Sequence, residues 1–326
     1  MAKTYVDQFW LVDPSAANVG DVLQLVRYDI VDGDEDGFIA SRAGQIPDTI
    51  DGKETLDSYP ASITVDLVDG SRVTIEGYTL YPNNGEIIVF TPSDGTVLQE
   101  GATFVAGTVS DIFERMPVSE LAPTCFARGT YIQTPNGSRS VEDMREGDIV
   151  SGHNGQDLTL RKVMRSQFSA DDLLANPNLR PVRILAGALG NDLPARDLLV
   201  SRQHRMLVSS KISERMFGQN EVLIPAIRLT ELPGVFVDED VNDVEYFHLL
   251  FDEHEVIFAE GAPTESLLTG PEALKSLSPE AREEILAIFP QVANMNFTPK
   301  PARLVPTGRK QKQLITRHIR TSQPLG

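Results

Sequence analysis

Apolar residues recur at every second position through much of this chain. They come in short runs that stop at Gly, Pro, Asn or Asp, a pattern that points to β-structure throughout. Ile63, Val65 and Leu67 alternate with Thr64 and Asp66; Asp69-Gly70 then offers a turn, and Val73 and Ile75 resume the period. Tyr78 and Leu80, followed by Asn84-Gly85 and Ile87 to Phe90, read as a second hairpin. A small β-rich module, sandwich or barrel-like, is expected over residues 1–110. Residues 111–124 read as a linker, where Pro123 biases Ala122 towards an extended backbone and leaves the Thr124 carbonyl accessible.

The next segment is β-rich too, with runs at Thr130–Thr134, Asp148–Val150, Pro181–Leu185, Leu198–Val200, Arg205–Val208, Phe247–Phe251 and Glu255–Phe258. A helical insert is expected where Ser169 can cap the amides ahead of Asp172. Ser278-Pro279-Glu280 opens another helix, which Pro290 stops, with Ala281, Ile285, Leu286 and Phe289 on one face. The expected class is all-β: a module over 1–110, a linker over 111–124, a β domain over 125–275, and a C-terminal helix and basic tail over 276–326.

Charge divides the chain near its one cysteine. Residues 1–124 hold 21 Asp/Glu and 6 Lys/Arg, while residues 125–326 hold 26 and 23, within a formal net charge of -18. So acidic a surface repels nucleic acid and anionic membranes, and neither is expected as a partner. Residues 300–326 reverse the sign with seven Lys/Arg and no acid, and are expected to pack on the acidic remainder. No apolar stretch approaches the roughly 18–20 residues that span a bilayer. Met1 to Pro14 lacks the basic-then-apolar layout of a cleavable signal, so secretion by another route is favoured over a cytoplasmic location.

A single cysteine excludes an intramolecular disulfide framework and a Cys-based metal cluster. Cys125 heads the new domain directly after a proline-containing linker. A thiol there can attack the carbonyl just upstream, giving a thioester by an N-to-S acyl shift. Its ordinary pKa of about 8.5 calls for a nearby base, and the departing nitrogen needs a proton. Histidine suits both tasks. His204, His248 and His254 lie in apolar, strand-like runs, where a ring needs a partner. His153, in a turn-like Ser-Gly-His-Asn-Gly, reads as a surface residue, and His318, in the basic tail, as solvated.

The run Cys125-Phe-Ala-Arg-Gly-Thr-Tyr-Ile-Gln-Thr-Pro-Asn-Gly137, with Val141-Glu-Asp-Met-Arg-Glu-Gly-Asp148 behind it, resembles the opening block of Hint (Hedgehog/intein) domains. Ser201-Arg-Gln-His204 is similar to their Thr/Ser-x-x-His block. Tyr246 to Gly261 resembles the late block ending in Ala-x-Gly, in the version of bacterial Hint proteins. The blocks stand in family order over residues 125–261. The resemblance implies a Hint fold and self-cleavage at Thr124–Cys125, with Cys125 as nucleophile and residues 1–124 as the substrate. It implies that His204 contacts the scissile amide and protonates its nitrogen, and that Ser201 holds that geometry. His248 stands where many inteins carry an assisting Asp, and His254 would support the site. The Asn that splicing requires is missing from Ala259-Glu-Gly-Ala-Pro-Thr-Glu-Ser266, so cleavage or transfer to water or another nucleophile is expected, without splicing.

No cofactor is expected. Asp32, Asp34 and Asp36 match the start of a calcium loop, yet Ala43 stands where its bidentate acid belongs, and an acidic β-turn is the preferred reading. Two other functions stay open at this point: a thiol hydrolase acting in trans, and a secreted binding or scaffold protein whose Hint-like domain is inactive.

Overall fold

The alternating runs become strands, and the chain divides into two units. The computed structural model describes residues 3–33, 38–40, 46–82, 85–93, 98–117, 124–268, 289, 300–306, 308–321 and 323–325. Those up to 117 belong to the first unit, and 124–268 with 300–325 to the second. The helix expected at 278–290 lies outside the described residues apart from Phe289, and so does most of the acidic loop, including Asp34 and Asp36. Among the described residues no helix is long and apolar enough to cross a membrane, and no group of three or more His, Cys, Asp or Glu is placed to hold a metal ion.

In the first unit the strands are β1 (Lys3–Leu11), β2 (Gln24–Asp32), β3 (Phe38–Ile39), β4 (Thr49–Ile50), β5 (Lys53–Asp66), β6 (Arg72–Pro82), β7 (Val89–Pro92), β8 (Thr103–Val109) and β9 (Met116–Pro117). The main sheet runs β4-β2-β1-β7-β6-β5-β8, and β4 also pairs with β5, so the sheet closes on itself. Neighbouring residues of a strand face opposite ways. Phe9 thus joins Ile30, Ile50, Leu80 and Val89 in one apolar cluster, while Trp10 joins Ile63, Val65, Ile75, Phe90 and Phe104 in another. The β5–β6 hairpin turns at Asp69-Gly70 as its sequence demands, with Val65 opposite Val73 and Ile63 opposite Ile75.

The second unit continues with β10 (Phe126–Ala127), β11 (Tyr131–Thr134), β12 (Gly137–Ser140), β13 (Ile149–Ser151), β14 (Asp157–Thr159), β15 (Lys162–Phe168), β16 (Val182–Ile184), β17 (Leu198–Val200), β18 (Arg205–Ser209), β19 (Glu221–Pro225), β20 (Val235–Val237), β21 (Val244–Leu250), β22 (Val256–Ala259) and β23 (Ala262–Glu265). Two six-stranded sheets result, β15-β21-β10-β17-β16-β20 and β12-β11-β22-β23-β18-β19. They share one core that includes Phe126, Ile132, Val200, Met206, Phe247 and Ile257. Phe126 lies opposite Phe247 in the ladder, and full burial of each contributes roughly 1.5–3 kcal/mol. Helix α1 (Ala170–Ala175) starts at Ser169 in a reciprocal capping box with Asp172. The β22–β23 hairpin turns on Glu260 and Gly261, both at positive φ, as a two-residue loop between right-twisted strands requires.

The basic tail is part of this unit. Its helix, Gly308–Thr321, lies against α2 (Lys211–Phe217) and α3 (Ala226–Leu229), with Leu314 and Ile315 fully buried in the core. This position corrects the reading of His318. The ring is buried, bonded to Ser210 Oγ at 3.0 Å, because it follows Leu314 and Ile315 on the inward face. His153 is half-buried against Glu221 at 3.1 Å, held there by the β13–β14 turn, and is not a free surface residue.

Candidate functional site

Strand pairing on both sides of β10 assembles the site. Phe126 pairs with Phe247 of β21 on one side and with Val200 of β17 on the other, both antiparallel. Extending each ladder by one residue sets Cys125 opposite His248 and opposite Ser201, and directly opposed residues share a face. The contacts follow that register. Ser201 N–H donates to Cys125 O at 3.0 Å, the Cys125 N–H donates to Ser201 Oγ at 3.0 Å, and His248 Nε2 lies 3.6 Å from Cys125 Sγ.

His248 has a second contact, from Nδ1 to the Thr124 carbonyl oxygen at 3.0 Å. One ring therefore spans the sulfur and the carbonyl just upstream of it. A carbonyl oxygen only accepts, so Nδ1 carries the ring proton. Burial pushes the His248 pKa down to about 4 against the opposing pull of that carbonyl, and the ring is neutral at pH 7. Nε2 then offers its lone pair to the Cys125 S–H. Burial also pushes the thiol well above its ordinary range, opposed only by its hydrogen bond with Ser201, so the resting sulfur is a thiol. Cys125 packs with Leu173, Val244 and Tyr246 in an apolar cluster that keeps water away.

His204 occupies a neighbouring position. Its N–H bonds to Ser201 O at 3.1 Å, closing a tight turn that carries the chain from β17 into β18. Its ring meets Phe126 edge-on at 4.5 Å between centroids. Nε2 lies 2.6 Å from Thr264 Oγ1, whose own proton goes to Arg205 O at 3.0 Å, so His204 Nε2 must be the donor. That leaves Nδ1 as an acceptor, buried and without a hydrogen-bond partner among the described residues. Burial pushes the His204 pKa to about 4, with Glu265 pulling the other way. The resemblance implied that His204 meets the amide and Ser201 supports it. In the structure the Ser201 hydroxyl holds the amide directly, and the His204 ring bonds to Thr264 through Nε2 with Nδ1 left over.

His254 does not reach Cys125 by any bond shown. Its Nε2 pairs with Glu265 Oε2 at 3.1 Å, and Glu265 also takes Arg205 N at 2.8 Å and Arg205 Nη1 at 3.0 Å. Burial pushes the Glu265 carboxyl up, but Arg205 and His254 outweigh it and leave it below its ordinary value. Thr264, Glu265 and Arg205 were missed by sequence reasoning. The signal was one charged residue between Ala262 and Leu267-Leu268 in an otherwise uncharged stretch, a setting that demands a partner when buried.

Residues 124–271 match the model of the Hint domain family, a span that takes in both residues of the Thr124–Cys125 peptide. Among solved structures the chain is similar to the gp41-1 intein, at 13% identity and a TM-score of 0.28 over 44% of this chain and 98% of that one. It is similar likewise to the MchDnaB-1 intein, at 12% identity and a TM-score of 0.28 over 43% and 98%. No curated protein matches.

Proposed function

Residues 124–271 form a Hint domain, and from that premise we propose that the chain cuts its own backbone at Thr124–Cys125. The observation that supports it most is the His248 ring bridging Cys125 Sγ at 3.6 Å and Thr124 O at 3.0 Å. In the proposed step Sγ attacks the Thr124 carbonyl carbon while His248 Nε2 takes the sulfur's proton. The Nδ1–H steadies the negative charge that grows on the carbonyl oxygen. The carbon–nitrogen bond breaks as the sulfur–carbon bond forms, and in net one proton moves from sulfur to nitrogen. Ser201 Oγ accepts the Cys125 N–H and holds that nitrogen in place, and the proton that His248 took from sulfur is the one handed to the nitrogen as it leaves, which returns the ring to its neutral form. The unfilled His204 Nδ1 accepts an N–H of the new amine. Water or another nucleophile then opens the thioester, restoring the thiol and freeing residues 1–124.

Concerted removal of the proton is essential, since a thiol raised this far yields almost no thiolate at neutral pH. The same burial argues against a thiol hydrolase acting on outside substrates: Cys125 is enclosed, with its own upstream carbonyl already in place. Splicing is not part of the proposal, because the late block ends in Thr264-Glu265-Ser266 with no Asn.

Intact mass over time after purification tests the proposal. The parent chain should yield fragments 1–124 and 125–326, faster with dithiothreitol or hydroxylamine, and Cys125→Ala should stay whole. A parent chain that stays intact under every one of these conditions refutes it.

A further inference from the structure

A run of buried polar contacts leads from the C-terminal segment to the His204 ring. The Ala302 N–H donates to His254 Nδ1 at 3.0 Å. A nitrogen that accepts holds no proton, so the His254 proton sits on Nε2, which lies 3.1 Å from Glu265 Oε2. Glu265 grips Arg205 through both its backbone N–H and its guanidinium. Arg205 O receives Thr264 Oγ1–H, and Thr264 receives His204 Nε2–H. His254, Glu265, Arg205, Thr264 and His204 are all buried.

Ala302 is held in place from both sides. Arg303 Nη2 reaches Asn154 Oδ1 at 2.7 Å, and its Nε pairs with Glu221. Leu304 O accepts from Leu223 N at 2.9 Å, and Leu304 bridges in parallel to Val222 on β19, the edge of its sheet. Ala302 and Val305 cover Leu207, Leu223 and Val256. A segment far along the chain thus lies on an exposed strand edge and spends one amide on a buried histidine.

We propose that residues 300–306 are a positioning strap for the site. By occupying Nδ1, the Ala302 amide keeps the His254 hydrogen on Nε2, the side that lies next to Glu265. With the hydrogen there, Glu265 stays committed to Arg205, and the Arg205–Thr264–His204 side of the site keeps one arrangement. The groups that interact with His254 are Glu265 on β23, His204 in the turn before β18 and Glu255 beside it; Arg205 acts on Glu265, and Arg303 of the strap on Glu255. Once Nδ1 is freed, the ring hydrogen can move onto it. The Nε2 lone pair then faces the Glu265 carboxylate, repels it and loosens its hold on Arg205. The consequence for rate rests on the cleavage reading; the proton state of His254 does not.

Ala302→Pro removes that one N–H, while Ala302→Gly retains it. In the full chain carrying Cys125→Ala, nitrogen-15 spectra of labelled histidine at neutral pH should show His254 with its hydrogen on Nε2. Adding Ala302→Pro should move that hydrogen off Nε2 in part of the molecules, and Ala302→Gly should not. With Cys125 present, Ala302→Pro should slow thiol-induced release about tenfold, as expected for a site whose supporting side loses its fixed arrangement, and Ala302→Gly should not. Arg303→Ala, which cuts the strap's side-chain anchor at the surface, should give a weaker form of the same signal and stands in should Ala302→Pro fail to fold. Unchanged His254 signals in both loosened variants overturn the strap, as does Ala302→Gly behaving like Ala302→Pro. A parent chain that never cleaves refutes the cleavage reading alone, since the spectra decide the strap independently.

Discussion

Two substitutions separate the two contacts of His248. Asparagine there sets an amide N–H close to the Nδ1 position, keeping a donor to Thr124 O, but offers the sulfur no base. Alanine removes both. Loss of a positioned general base costs about 10²–10⁴ in rate. This site belongs in the upper half of that range, because burial has raised the Cys125 thiol so far that unassisted ionisation contributes almost nothing at pH 7. In barrier terms that is about 4–5 kcal/mol. A lost donor at a developing oxyanion costs roughly 10²–10³ by itself. Groups acting in one step do not add, so His248→Ala should fall below His248→Asn by about tenfold to a hundredfold. The measurement is the rate at which the 1–124 fragment is released from each full chain under one dithiothreitol concentration, read by intact mass. His248→Asn cleaving within about threefold of the parent would remove His248 as the base. Equal rates for the asparagine and alanine variants would show that the 3.0 Å contact with Thr124 O plays no part in the step.

Acid should destabilise the second unit earlier than its carboxylates alone require. His204 and His248 take up protons near 6.5 when unfolded but only near 4 when folded. Between those values the unfolded state binds more protons, so stability falls as pH drops through the window and levels off below it. At about 1.4 kcal/mol per pKa unit each ring accounts for a loss of about 3 kcal/mol. Hydrogen exchange of the Cys125→Ala chain checks this, and core amides of the second unit equally protected at pH 7 and pH 4.5 would contradict it. Glu265→Gln strands the buried Arg205 guanidinium beside a neutral amide and should lower stability by about 3–5 kcal/mol. Thermal unfolding at neutral pH gives the answer, and a midpoint within a degree or two of the parent would show that the pair is not holding the site together.

Much of this protein was legible in its residues. Alternation at Ile63–Ile75 foretold the β5–β6 hairpin and its turn, since a period of two needs only local information. Ser169 foretold the start of α1, because a cap is a contact between residues three apart. The ordered blocks around Cys125, Ser201, His204 and His248 foretold which side chains to examine, and two of them meet the sulfur or its amide directly.

Which of them would touch was decided elsewhere. Ser201 and His248 lie 76 and 123 residues from Cys125, and they flank it only because β10 is inserted between β17 and β21 at one particular register. Alternation tells which face a residue takes, but leaves open which strand lies beside it. That is why the direct bond from the Cys125 N–H to Ser201 could not be foreseen from spacing alone. The fate of the tail has the same origin. His318 looked solvated among cations, and Leu314 and Ile315 draw it inside. Glu265 drew notice in the sequence only for the Asn missing there, yet a long-range cluster made it the buried partner of Arg205 and His254. Periodicity and spacing are properties of neighbouring residues and can be read along the chain, whereas burial and pairing arise between distant ones, and only the folded molecule sets them.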